Sequence, residues 1–451
     1  MIKEPIITKT VITGYTHDGD GVGRVNGQVV FIPGALLGEE VLAAVTGGKK
    51  GVLKGRLLEV ISPHPDRSEP VCGCYASCGG CKLQHVTYAE QLKIKENLVR
   101  DALLRIGGLK DIQVHPVLGM EQPWEYRNKG HFQVGLCEGR IVLGFYAEES
   151  HQINPYPCRH LFGAGITKLS AFLEELLNRH PVKVYGWDGC GLCWIMLRES
   201  RANGEILVTF ISKGEFSAEK EAIAREICHK FAGVVGVCIN YKEKDSGPIM
   251  GRNTKIIVGR DWLEDRLGPF SYKISAQSFF QINNPQAEVL YDLAVRYAGL
   301  SGKETVIDAY CGIGSISLFL AQAAKKVIGI EIIPEAVADA RENAKRNGIT
   351  NARFILGEAE KTMPDLVKQG LQADVVVVDP PRAGCGRTLL ESILAVRPKR
   401  VVYVSCNPAT LARDMRILAD GGYSVSEVQL VDMFPQTAHV ETVTLMSRVE
   451  K

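Results

Sequence analysis

The chain has 451 residues, 45% hydrophobic and 23% charged, with 53 Lys and Arg against 51 Asp and Glu. This is a soluble globular composition, long enough for two or three domains. A net charge of +2 excludes a uniformly basic chain, so any RNA-binding surface has to be a local patch.

No apolar run approaches the roughly 18 residues of a membrane span, and Met1-Ile2-Lys3-Glu4-Pro5 opens no signal peptide. A cytoplasmic protein with no membrane partner is expected, a monomer by default. In that reducing compartment the 13 cysteines point to metal or catalysis, rather than disulfides, wherever they cluster.

Residues 1–61 read as short strands separated by turns. His17-Asp18-Gly19-Asp20-Gly21-Val22-Gly23 is a loop, and the strand Gly27–Ile32 stops at Pro33-Gly34. Strands near 40–45 and 53–61 complete a small β-barrel. Ser62-Pro63-His64-Pro65-Asp66 is a linker.

Residues 62–270 form an α+β middle domain with no nucleotide-binding signature. It opens on a cysteine-dense loop, where Cys72, Cys78 and Cys81 can chelate but lack one ligand. Cys74 and more distant cysteines compete for that place. Four thiolates suit an iron–sulfur cluster and, equally, a tetrahedral zinc. Cys190-x2-Cys193 has no partner pair and reads as ordinary. The period of Tyr88–Ile106 predicts a helix with Leu92, Leu98, Ala102 and Ile106 on one face. The segment Trp124–Phe132 mixes basic and aromatic residues, as phosphate contacts and base stacking require.

From residue 271 to 451, strand and helix alternate regularly, which predicts an α/β, Rossmann-like doubly wound sheet ending in two consecutive strands. Asp308-Ala309-Tyr310-Cys311-Gly312-Ile313-Gly314 turns from strand to helix, and its glycines let a ligand approach the backbone. Glu331 closes the next strand, placed to accept the hydroxyls of a ribose. A dinucleotide fingerprint needs Gly at 317, and the chain has Ser317. Asp308 suits the ammonium of a methionine, so S-adenosylmethionine is the expected cofactor.

Asp379-Pro380-Pro381-Arg382 resembles the acidic loop of amino-group methyltransferases, but Arg382 replaces their base-stacking aromatic residue. Val401–Ser405 is an apolar strand that stops at Cys406-Asn407-Pro408. Asn407 can cap a helix and Pro408 can begin it, so the helix dipole is expected to lower the Cys406 thiol's pKa. His439-Val440-Glu441 follows, with a carboxylate base. A thiolate adding to C6 of a pyrimidine activates the otherwise poor nucleophile C5.

Together these residues resemble the RNA uridine C5-methyltransferases. Residues 16–24, 30–35 and 38–39 resemble the TRAM barrel of that family. The catalytic half carries Ser278-Phe279-Phe280-Gln281-Ile282-Asn283, the Asp308–Gly314 loop, Asp379–Arg382, Ser405–Pro408 and Thr437–Glu441 in the family's order. Length and layout are most similar to the bacterial 23S rRNA members, especially the Gram-positive dual-site type, with tRNA as the alternative substrate. A non-catalytic RNA-binding relative would have no chemical need for Cys406 and Glu441. The resemblance implies Cys406 as the nucleophile on C6 and Glu441 as the base at C5. It implies that Gln281, Tyr310, Glu331 and Asp379 bind the cofactor or border the reacting base. Ser315 stands where a relative has a cofactor-contacting Asn. The resemblance also implies a [4Fe–4S] cluster on Cys72, Cys78, Cys81 and Cys158, the last following Tyr156-Pro157, with zinc the lesser alternative.

Overall fold

The computed structural model describes residues 4–48, 51–147, 150, 152–155, 158–186, 189–244 and 247–449. Tyr156 and Pro157 lie outside the described residues; Cys158 lies within them. No helix among the described residues is long and apolar enough to cross a membrane.

Six strands build the N-terminal sheet: β1 (Ile6–Val11), β2 (Gly14–Tyr15), β3 (Gly21–Val25), β4 (Gln28–Ile32), β5 (Glu40–Gly47) and β6 (Leu53–Ser62). Their order is β1-β5-β6-β4-β3-β2, with only β4 and β6 parallel. Alternation sends Val30, Ile32, Val41, Ala43 and Val45 into a small core with Ile12 and Ala35. Buried Glu39 accepts hydrogen bonds from Arg67 Nε at 2.6 Å and from the His64 amide at 3.0 Å, tying the linker to the barrel.

Helix α1 (Tyr88–Arg105) follows the cysteine loop. Its buried line is Gln91, Ile94, Lys95, Val99 and Leu103. The expected face is displaced: Leu92, Leu98 and Ala102 are half-buried and Ile106 is exposed. An apolar period cannot find the true face, because two of its positions are polar residues whose partners lie more than 300 residues away. Val99 and Leu103 share a core with Leu411, Ala412 and Met415 of the C-terminal domain.

The middle sheet contains β7 (Lys129–Cys137), β8 (Arg140–Tyr146), β9 (Ile153–Asn154), β10 (Gly191–Glu199), β11 (Ile206–Lys213), β12 (Val234–Tyr241) and β13 (Asn253–Gly259). Its order is β13-β12-β11-β10-β7-β8-β9. Helices α2 (Ala164–Leu177) and α3 (Lys220–Lys230) bury Leu169, Leu173, Ile223 and Ile227 against it.

A hairpin, β14 (Trp262–Leu267) and β15 (Phe270–Ser275), leads into α4 (Asn284–Ala298) and the C-terminal sheet. That sheet runs through β16 (Thr305–Ala309), α5 (Ser315–Ala321), β17 (Lys326–Glu331), α6 (Pro334–Arg346), β18 (Ala352–Leu356), α7 (Ala359–Lys368), β19 (Val375–Val378), α8 (Arg387–Val396), β20 (Arg400–Ser405), α9 (Pro408–Asp420), β21 (Tyr423–Val431) and β22 (Glu441–Arg448). The order is β18-β17-β16-β19-β20-β22-β21. The first five strands are parallel, and β22 is antiparallel to both neighbours. Val375–Val378 are all buried, as strands covered on both faces must be. The sequence pattern misses α7, whose interior holds Pro364. The last two strands do pair, but β22 inserts between β20 and β21. That insertion brings Glu441 beside the strand that ends at Cys406.

Candidate active site

Ser405, the last residue of β20, pairs with Thr442 of β22. Continuing that antiparallel register sets Cys406 opposite Glu441. Asp379 follows β19, the other neighbour of β20. Asn407 caps α9, its Oδ1 accepting the Ala409 N–H at 3.0 Å, and Pro408 occupies the first turn. Asn407 Nδ2 also donates to the Arg382 carbonyl at 2.9 Å, and Thr410 Oγ1 donates to the same oxygen at 3.3 Å. The acidic loop and the nucleophile loop are therefore one hydrogen-bonded unit. A cavity of about 390 Å³ opens here, lined by Cys406, Arg382 and His439 and, from the barrel, by Tyr15, His17 and Asp18.

Burial, then the carboxylates of Glu441 and Asp379, push the Cys406 thiol up to about 12, against the pull of Arg382. This overturns the expected depression by the helix dipole: desolvation and two acidic neighbours outweigh a helix terminus. Burial lifts the Glu441 carboxyl well above the carboxylate range, with Asp379 adding to the rise and Arg382 opposing it. Asp379 rises to about 7 through burial. Burial and Arg382 lower His439 to about 4, and Arg382 Nη2 lies 3.3 Å from His439 Nε2. Burial and the acidic neighbours thus favour the protonated forms of Cys406 and Glu441. Arg382 is the charge that favours both ionised forms.

The loop after β16 is shaped for a ligand. Asp308 is fully buried, and its Oδ2 accepts the Ser317 hydroxyl at 2.5 Å. Its Oδ1 is buried with no partner, and burial holds the carboxyl up near 7. An orphaned buried acceptor beside a Gly-rich turn fits the ammonium of S-adenosylmethionine. Ser317, which breaks the dinucleotide pattern, is used to hold Asp308. Glu331 accepts the Gly312 N–H at 3.0 Å and the Ile333 N–H at 2.9 Å, one on each oxygen, so each retains a lone pair for a ribose hydroxyl. Gly314 has φ +83, and a Cβ there would lie 3.1 Å from the Phe354 ring. Tyr310 takes φ +66 and donates its hydroxyl to Glu360. Gln281 is buried between β15 and α4, its carbonyl accepting Asn128 Nδ2 at 2.8 Å.

The cysteine loop makes a second site. Cys72, Cys74, Cys78, Cys81 and Cys158 line one cavity of about 110 Å³ with Phe145, Leu161 and Phe162. Burial pushes the Cys81 thiol up to about 12. Among the described residues no three His, Cys, Asp or Glu side chains are set to hold a metal ion. The donor chemistry nonetheless fits a thiolate-liganded cluster, since the structure gathers the four expected cysteines, and Cys74 with them, around one apolar pocket. Cys190 and Cys193 do not line it.

The basic-aromatic segment is only half available. Tyr126, Asn128 and Phe132 are buried, leaving Trp124, Arg127, Lys129 and His131 partly open. Lys129 Nζ sits 5.9 Å from the ring centre of Phe279, which is exposed. Sequence reasoning missed Gln91, Lys95 and Asp432, which fasten the loop leading to Glu441, and Tyr15 at the mouth of the Cys406 cavity; His17 and Asp18, marked in the sequence only as part of the TRAM-like loop, line that same mouth.

A Rossmann-like sheet with an acidic, Gly-rich turn after its first parallel strand, joined to a six-stranded barrel, defines a class: methyltransferases that use S-adenosylmethionine, here with a nucleic-acid-binding module. The family model described as tRNA (uracil-5-)-methyltransferase matches residues 248–449, and that of the TRAM domain matches residues 10–58. An RNA methyltransferase of Bacillus cereus is 48% identical over 444 residues, covering 98% of this chain and 96% of that protein. One of Halalkalibacterium halodurans is 45% identical over 442 residues, covering 98% and 96%. The Pyrococcus abyssi tRNA (uracil-54, C5)-methyltransferase, solved with S-adenosyl-L-homocysteine, superposes with a TM-score of 0.75 at 26% identity, covering 97% of this chain and all of that one. The chain belongs to the S-adenosylmethionine-dependent RNA (uracil-5-)-methyltransferase family.

Proposed function

We propose that this enzyme methylates C5 of specific uridines in 23S rRNA, in the cytoplasm, through a covalent bond between Cys406 and C6. In this reading residues 1–61 are an RNA-binding barrel, 62–270 carry the cluster loop and 271–451 are catalytic. The observation that carries the chemistry is the register of β20 and β22, which sets a thiol opposite a buried carboxyl.

The Cys406 thiol gives its proton to the Asp379 carboxylate, and its sulfur bonds to C6 of the uracil. The C5–C6 π electrons move toward O4, and C5 becomes nucleophilic. When bound, S-adenosylmethionine supplies an electrophilic methyl group to C5 and leaves as S-adenosylhomocysteine. Asp308 would hold its ammonium and Glu331 its ribose, with Tyr310, Gly312, Gln281 and Asp379 bordering it. Glu441, once it has released its own proton to solvent, a loss that Arg382 favours, takes the C5 proton. The electrons of that C–H bond restore the C5–C6 double bond and expel Cys406 as thiolate.

The rRNA target is supported by length and layout. A tRNA target is the second reading, favoured by the full-length likeness to the P. abyssi enzyme. Mapping 5-methyluridine in a deletion strain decides. Loss from 23S rRNA alone supports the first reading, and loss from tRNA alone replaces it with the second.

Cys72, Cys78, Cys81 and Cys158 are proposed to hold a [4Fe–4S] cluster. Anaerobically purified protein should be brown and contain iron and sulfide. Zinc without iron would reject the cluster. Cys158→Ser should remove more iron than Cys74→Ser, and equal losses would mean the fourth ligand is wrongly chosen.

A further inference from the structure

β21 and β22 could be joined by a short hairpin. Instead Val431 and Glu441 pair across a loop of residues 432–440; Asn283 and Gln286 of its own domain hold the Met433 and Asp432 carbonyls, and the remainder of its fastening comes largely from residues 82–126. At its centre Gln436 is buried with φ +70, a conformation that non-glycine residues adopt only when their surroundings enforce it. The enforcing groups are specific. The Gln436 carbonyl accepts the Lys82 and Leu83 amides at 2.9 and 3.0 Å. Its amide donates to Gln91 Oε1 at 3.0 Å, and Gln91 Nε2 donates back to Gln436 Oε1 at 2.9 Å. Gln91 is itself buried and fixed by the Leu83 and Val86 carbonyls. On the flank, Lys95 Nζ donates to Asp432 Oδ1 at 2.5 Å and to the Phe434 carbonyl at 3.0 Å.

A buried amide pair and a buried ion pair are poor ways to stabilise a core, since apolar residues would serve as well. They do fix one arrangement. The arrangement fixed here ends at Ala438, which packs on Leu36 of the barrel and Leu83, two residues before Val440 and Glu441. Cys406 has no part in this fastening.

We propose that Gln436 and Gln91 are positioning residues for the proton-removal step: they set the Glu441 carboxyl against C5 without affecting attack by Cys406. This rests on the assignment of Glu441 as the base. Two RNAs separate the steps. RNA with 5-fluorouridine at the target traps the adduct after addition, because fluorine cannot leave as a proton does. Ordinary RNA shows an adduct only when elimination lags. Gln91→Leu should trap 5-fluorouridine RNA at the wild-type rate, yet slow release from ordinary RNA about tenfold, equivalent to about 1.4 kcal/mol. Its protein–RNA adduct should therefore survive denaturing electrophoresis. Gln436→Gly, which keeps the positive φ but loses the side-chain bonds, should do the same. If trapping and turnover fell together, or if neither variant folded, the pair would be merely structural and the proposal overturned. If wild-type protein failed to trap 5-fluorouridine RNA, the covalent reading itself would fall, and this inference with it.

Discussion

The two sides of the catalytic edge are built differently. The nucleophile side is local. Cys406, its Asn407 cap and the Arg382 carbonyl that Asn407 holds, 25 residues from it, lie in the loops that follow two adjacent strands of one sheet. The base side is assembled from afar. Asp432, Pro435 and Gln436 are held by Lys95, Tyr126 and Gln91, each more than 300 residues away. In the proposed mechanism, bond making and bond breaking at the uracil are fastened by largely different residues, with Arg382 beside His439 as the link between them, so each should be open to disturbance alone.

Removing each reacting group breaks the comparison most completely. Cys406→Ala should abolish methylation and leave no adduct, because nothing activates C5. Glu441→Gln should still add and then fail to release, giving an RNA adduct on denaturing gels. Normal turnover by Cys406→Ala would remove both the nucleophile and the C5 chemistry. Normal turnover by Glu441→Gln would move the proton to another acceptor, with His439, its pKa lowered to about 4 by burial and Arg382, or a water as the candidates.

Next in size is the fastening of the base side. Lys95 and Asp432 are both fully buried. Lys95→Met leaves the Asp432 charge uncompensated, which costs about 3–5 kcal/mol when one partner of a buried pair is lost. Thermal unfolding should show a large drop in Tm. The double variant Lys95→Met, Asp432→Leu should regain much of it, since no charge then stays buried alone. A single variant as stable as wild type would mean that the pair fastens nothing.

What the sequence reveals follows the same division. The strand, cap and helix around Cys406 are legible because the signals are contiguous: an apolar run, then Asn407, then Pro408. The parallel strands are legible for the same reason, and β17 and β20 end at Glu331 and Ser405 as the pattern sets them. Gln91 and Lys95 are not legible, because polar residues on a buried helix face look like solvent-facing ones until their distant partners are known. The Cys406 thiol was open to misreading because a helix terminus can be read from sequence, whereas burial and the approach of Glu441 come only from the inserted strand β22. Ser317 looks like a defect in a motif until its hydroxyl is found on Asp308.

The smallest expected effect sharpens the comparison from the nucleophile side. Asn407 does two things: its Oδ1 caps α9 through the Ala409 N–H, and its Nδ2 holds the Arg382 carbonyl. Asn407→Ala removes both. Loss of an N-cap costs about 1 kcal/mol, so Tm should fall modestly and the fold should persist. Arg382 opposes the rise of both the Cys406 and Glu441 pKa values, so loosening its loop should hinder formation of the thiolate. Addition should then slow. Trapping of 5-fluorouridine RNA should slow in step with turnover, and no adduct should build up on ordinary RNA. That is the reverse of the pattern expected for Gln91→Leu. If Asn407→Ala accumulated adduct instead, the nucleophile and base loops would act as one unit, and the independence of the two sides would be lost.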